Sequence, residues 1–178
     1  HPEEIEYHDT VWGVPEYKDQ KLFEFLILES FQAGLSWLTI LKKRDAFRIA
    51  FDEFETHKIA RYTSAKVNEL LHSDQIIKNR KKIEAAITNA KAFNKVQDEF
   101  GSFASFLWSY TDHKPIINAW KESSEIPAKT PLSEKISRDM KKRGFTFFGP
   151  TICYSLMQAI GMVNDHEMNC FRYKEVQS

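Results

Sequence analysis

The chain has 178 residues, 42% hydrophobic and 13% aromatic, enough for one domain with a true core, so extended disorder is excluded. Lys+Arg and Asp+Glu balance at 25 each, so overall charge gives no argument for a nucleic-acid partner and only local clustering could supply one. Two cysteines are too few for a disulfide framework, and no apolar run nears the ~20 residues of a membrane span or forms a signal-peptide core, so the chain reads as intracellular, with no membrane partner.

Helical periodicity runs nearly throughout. Helices are expected over 19–32, 35–47, 56–60, 64–72, 76–97, 102–110, 132–143 and 151–161, with a short one near 164–170. The Ala33-Gly34 pair separates the first two. Thr63 or Ser64 can cap the fourth, and Ser102 the sixth. Pro131 after Thr130 suits a first helical position, and Gly144 a stop. Residues 111–131, with Pro115, Pro127 and Pro131, read as the longest connection. No alternating strand, repeat or low-complexity tract appears, so the fold class is all-α, one domain over 1–178.

The first of these helices poses a question. In LFEFLILESFQAGLSW (22–37), apolar residues cover most of the circumference, the mark of a buried helix. Glu29 follows Phe25 by four residues and Leu26 by three, so it projects from an inward face. Glutamate is almost never fully buried alone. Either a structural cation or hydrogen-bond donor meets it, or it lines a cavity whose occupant does.

Basic residues cluster at Lys42-Lys43-Arg44, at Lys78 to Lys82 and at Lys141-Lys142-Arg143. Each cluster taken alone reads as a solvated helix face or end, the first and third also suiting the helix dipole. KKRGFTFFGPTICYSLMQAIG (141–161) says more. One helix stops at Gly144, a tight connection follows, and Gly149-Pro150-Thr151 opens another. Free amides at that second N-terminus form an anion site, and the preceding lysines and arginine add phosphate attraction. An ordinary helical hairpin would give the same pattern.

YHDTVWGVP (7–15), LESFQAGLSWLTILKKR (28–44), FLWSY (106–110), the 141–161 segment and VNDHEMNC (163–170), in that order, resemble bacterial 3-methyladenine DNA glycosylase I, of the helix-hairpin-helix glycosylase superfamily. The resemblance implies that architecture, with a helix-hairpin-helix element over about 132–161. It also implies excision of N3-methyladenine from alkylated double-stranded DNA by a monomer, releasing 3-methyladenine after the nucleotide leaves the stack. Glu29 matches the family's essential glutamate, and Tyr7 and Trp37 match residues that sandwich the base. Trp12 is expected as a further wall. Gln32 and Leu35 resemble residues that probe the gap left in DNA. Lys141, Lys142, Arg143, Gly144, Gly149 and Thr151 are expected to grip the backbone, and Trp108 to be core. N3-methylated adenine is a cation, so a desolvated carboxylate among aromatic faces prefers it over adenine. Methylation already makes the base a good leaving group. The superfamily's frequent aspartate after the hairpin has no counterpart before Asp165. Retention of Glu29, Tyr7 and Trp37 favours this reading over a non-catalytic damage-binding module, while a larger or uncharged pocket would mark a glycosylase of the same architecture for another lesion.

His166 and Cys170 are four apart and would share a helix face; alone they are a weak metal signal and read as a surface histidine and a buried cysteine. The resemblance implies a structural zinc joining the termini, with His8 as a third ligand. The family's first cysteine ligand lies ahead of His1, so the fourth ligand is not identified here. His1 or water could replace it, though His1 does not match the spacing.

Overall fold

A computed structural model describes the whole chain, His1–Ser178, and is mostly helical. Helix α2 (Asp19–Gln32) runs through the middle: every residue from Leu22 to Phe31 is buried. The expected helix 35–47 is two pieces, α3 (Trp37–Lys42) and α4 (Arg44–Ala50), interrupted at Lys43. The Ser36 side chain accepts from the Thr39 amide and so sets where α3 begins. Short α5 (Thr56–Ile59) and α6 (Ser64–Leu71) follow, with Thr63 as the α6 cap.

Long α7 spans Arg80–Phe100, starting four residues later than expected because Asn79 caps it. Capped by Ser102, α8 (Phe103–Trp108) packs on α2 and α7, and Trp108 is core, its indole donating to the Glu16 carbonyl. Asp19 accepts from the amides of Phe103 and Ala104, which ties the start of α2 to α8. Thr130 and Pro131 open α9 (Pro131–Lys142), and Gly144, at φ +99°, ends it in a conformation that side chains disfavour. Helix α10 (Pro150–Ala159) begins after Gly149 and packs against both α9 and α2.

Three elements escape the periodicity. Helix α1 (Pro2–Thr10) buries only Tyr7 and therefore has no apolar stripe to read. Two dipeptide strands, β1 (Ile116–Ile117) and β2 (Val163–Asn164), pair in parallel and pin the 111–131 connection to the chain after α10. They are too short to alternate. The short helix expected near 164–170 is absent: β2 and turns occupy that stretch, and α11 (Arg172–Glu175) comes later.

Candidate active site

Two carboxylates on α2 are buried and live in opposite surroundings. Glu24 is 3% exposed and meets Arg48 at 2.8 Å, Arg44 at 3.2 Å and Lys21 at 3.4 Å. Burial pushes its pKa up, but the Arg48 hydrogen bond and the three cationic charges outweigh it and hold the carboxyl below the usual range. Glu29, 6% exposed, has burial as its sole influence, which pushes its pKa up to about 8.

Glu29 faces a cavity of about 360 Å³, in the size range of small-molecule sites. Tyr7 from α1, Trp12 after it, Trp37 opening α3 and Gln32 closing α2 share the lining. The Tyr7 hydroxyl and the Trp37 indole N–H are buried without partners. Burial, then the Glu29 charge, raise the Tyr7 phenol well above its ordinary pKa. Each unsatisfied buried polar group costs roughly 1–3 kcal/mol, so these two, beside a Glu29 carboxyl that accepts no hydrogen bond within the protein, mark a site built for an occupant. The expected sandwich differs in shape. The Tyr7 and Trp37 rings meet as a corner, centroids 5.3 Å apart and planes at 55°. A ring lying flat between them needs roughly twice the 3.5–4 Å carbon contact distance.

Sequence reasoning missed Ser155, Gln158, Glu4 and His8 on this wall. Ser155 and Gln158 are three apart on α10, whose other residues after Thr151 are apolar or aromatic, so a polar i, i+3 pair was the available signal. In sequence Lys82 is one more member of a basic cluster. In the fold it is buried, 8% exposed, and its ammonium donates to the carbonyls of Phe31 (2.8 Å) and Ala33 (2.6 Å) at the end of α2. That cap holds the turn in which the Gln32 amide donates to the Leu35 carbonyl at 2.8 Å and leaves Leu35 at the surface.

His8, His166 and Cys170 converge behind the Trp12 wall, their ligand atoms within 4.8 Å of one another. Cys170 Sγ lies 3.7 Å from His8 Nε2 and 3.8 Å from His166 Nδ1. A tetrahedral zinc with ordinary bond lengths has N···S edges of roughly 3.6 Å. The second ring nitrogens also fit. His166 Nε2 donates to the Trp12 carbonyl (3.0 Å) and His8 Nδ1 to the Asp9 carboxylate (2.7 Å), leaving a lone pair on each nitrogen that faces the sulfur. A loop, not a helix, brings His166 and Cys170 together. Gly13 lets the chain approach: a Cβ there would lie 2.8 Å from His166 Nε2. His1 is not among the convergent residues.

The α9–α10 turn is rigidly held. Asn89, fully buried on α7, donates to the Thr146 carbonyl (2.9 Å) and accepts from its amide (2.8 Å), and Ser137 donates to the Phe148 carbonyl. Lys141, Lys142 and Thr151 are exposed, and Gly149 offers no side-chain cap, so the first amides of α10 are open. Arg143 departs from expectation: it pairs with both Glu99 oxygens (2.6 and 3.3 Å) and lies over Phe100 and Phe106. Asp165 is 1% exposed and accepts from Asn118, Trp120, Tyr154 and Gln158, so it is a structural hub with no free oxygen edge for a reacting sugar.

The methyladenine glycosylase family profile matches residues 1–173. The chain is 46% identical over 169 residues to the DNA-3-methyladenine glycosylase 1 of Escherichia coli K12, covering 95% of this chain and 90% of that protein. It superposes on a crystal structure of 3-methyladenine DNA glycosylase I with a TM-score of 0.93 at 47% identity, covering 96% of this chain and 94% of the other. A tyrosine-to-phenylalanine variant of a 3-methyladenine DNA glycosylase I, solved in complex with 3-methyladenine, superposes with a TM-score of 0.94 at 38% identity, covering 96% and 92%.

Proposed function

This chain belongs to the methyladenine glycosylase family, and from that premise we propose that the Glu29 cavity receives the damaged base. The protein is an enzyme of DNA base-excision repair: it releases 3-methyladenine from alkylated DNA by hydrolysing the N-glycosidic bond of the extruded nucleotide. The observation that carries the role of the cavity is a buried carboxyl with no partner inside the protein, beside two aromatic residues whose polar atoms are also unpartnered.

N3-methylation leaves the base positively charged until the bond to the sugar breaks. Glu29, mostly protonated near neutral pH in the free protein, loses its proton to solvent when that cation enters the same cavity. The resulting carboxylate balances the base and accepts from its amino edge, while Tyr7, Trp37 and Trp12 present aromatic faces and edges. As the bond to the sugar breaks, its electron pair returns to the ring, the base leaves neutral, and water adds to the sugar cation and gives up one proton to bulk solvent. No acid is required. Rate enhancement then comes from binding, extrusion and orientation, which suits a site without a free aspartate near the hairpin.

The α9–turn–α10 unit serves as a helix-hairpin-helix grip: the open amides of α10, with Lys141, Lys142 and Thr151, take backbone phosphates, while Gly144 and Gly149 shape the turn. Gln32 and Leu35 enter the gap left by the extruded nucleotide. His8, His166 and Cys170 hold a structural zinc that ties α1 to the segment after β2, and the donor set supports that reading. Such a zinc supplies cohesion alone. The enzyme acts as a monomer.

Incubating methylated duplex DNA with wild type and Glu29→Gln, then chromatographing the released bases, tests the assignment. Selective 3-methyladenine release by wild type and a loss of about 100-fold or more in the variant are expected. Equal activity removes Glu29 from its role.

A further inference from the structure

We propose that Gln158 is a specificity-determining residue, presenting a fixed hydrogen-bond acceptor to the base and so distinguishing 3-methyladenine from methylated guanines; this rests on the cavity being the base pocket.

Gln158 lies on α10 and lines the same cavity as Glu29. A glutamine amide ordinarily turns either way and offers donor or acceptor as a ligand demands. Here one orientation is imposed. The Gln158 nitrogen lies 3.0 Å from Asp165 Oδ2, and an ionised carboxylate only accepts, so the NH₂ must point towards it. Asp165 is itself immobilised by Asn118 at 2.7 Å, Trp120 at 2.8 Å and the Tyr154 hydroxyl. Turning the amide would set its oxygen against a carboxylate surrounded by other donors.

What remains is the carbonyl oxygen. It accepts no hydrogen bond within the protein, and it is not among the buried atoms that lack a partner, so it is accessible. Glu29 and Gln158 therefore offer oxygen acceptors to one cavity. Adenine carries an amino donor at position 6, where guanine carries a carbonyl acceptor. An adenine edge meets such a pair with its amino hydrogens. A guanine edge sets oxygen against oxygen, and Gln158 cannot rotate to relieve it. A site whose polar groups are left unpaired by the wrong ligand rejects it far more strongly than one that differs only in shape.

DNA treated with a methylating agent contains 3-methyladenine, 3-methylguanine and 7-methylguanine together, so one digest reads the selectivity. Gln158→Met keeps the length and removes the acceptor. Its 3-methyladenine kcat/KM should fall about 3- to 10-fold, as for loss of one neutral hydrogen bond, and the adenine-to-guanine release ratio should fall about tenfold or more. An unchanged ratio in a variant that melts like wild type overturns the proposal. If Gln158→Met does not fold, competition binding of free 3-methyladenine and 3-methylhypoxanthine, its 6-oxo counterpart, to Glu29→Gln decides. With Gln158 as the remaining fixed acceptor, the 6-amino base should bind at least 3-fold tighter; equal binding overturns it. Absence of 3-methyladenine release by wild type would instead defeat the functional reading on which this rests.

Discussion

Glu24 and Glu29 sit on one helix, five residues apart and almost equally buried, yet the protein treats them in opposite ways. Around Glu24 the fold supplies Lys21, Arg44 and Arg48; around Glu29 it supplies apolar surface and a cavity. The first carboxylate joins α2 to α4. The second is desolvated by burial with no cation or donor in the protein to offset that cost. Burial alone therefore does not tell a structural acid from a functional one. The missing partner does.

The largest difference should appear in catalysis. Glu29→Gln is expected to lose on the order of 100-fold or more in base release, whereas Glu24→Gln, folded at low temperature, should retain activity within about threefold. Stability should reverse the order. Removing Glu24 leaves the half-buried Arg44 without a carboxylate and Arg48 with only the exposed Asp45, a loss of about 3 kcal/mol by denaturant unfolding at pH 7. Glu29→Gln should instead gain stability, on the order of 2–3 kcal/mol at pH 8.

The pH dependence sharpens the contrast, and its sign differs at the two sites. The folded pKa of Glu29 lies above its unfolded value, so folding is favoured below the ordinary 4.5 and that advantage is lost as pH rises towards about 8. For Glu24 the folded pKa is lowered, so its contribution is present above the unfolded pKa and disappears as pH falls through the folded one. Melting temperature against pH should therefore flatten between about 4.5 and 8 in Glu29→Gln. In Glu24→Gln it should become less sensitive to acid.

Smaller effects are expected at the ends of the elements that frame the cavity. Lys82→Met strips the cap from two carbonyls at the end of α2 and should cost about 1–2 kcal/mol, read by chemical denaturation. Least should come from the basic cluster. Lys141→Ala with Lys142→Ala should weaken DNA binding and reduce the salt slope by about one for each phosphate no longer neutralised, whereas Arg143→Ala, already committed to Glu99, should leave that slope unchanged.

The same contrast explains what could be read in the sequence. Glu29 was legible because a greasy helix with one acid inside it poses a local question. Glu24 draws no such notice, because its two arginine partners lie 20 and 24 residues away on α4 and only packing brings them close. Helix α1 hides for want of a stripe, although it carries Tyr7 and His8. Gln158 is one ordinary polar residue in the chain, since its meaning depends on Asp165 holding its amide in one orientation. Conversely Arg143 looks free in sequence because Glu99 lies 44 residues away. Local period and capping carried the elements; long-range polar partners carried the roles.

The Glu29 side chain is buried and its carboxyl has no partner within the free protein. Carbon-13 NMR titration of glutamate side-chain carboxyls, with Glu29 assigned by comparison with Glu29→Gln, measures this directly, and Glu24 serves as control in the same spectrum. A Glu29 midpoint near 8, with Glu24 below 4.5, is the predicted result. A Glu29 midpoint near 4.5 would place the side chain in water or against a donor, and would contradict the account.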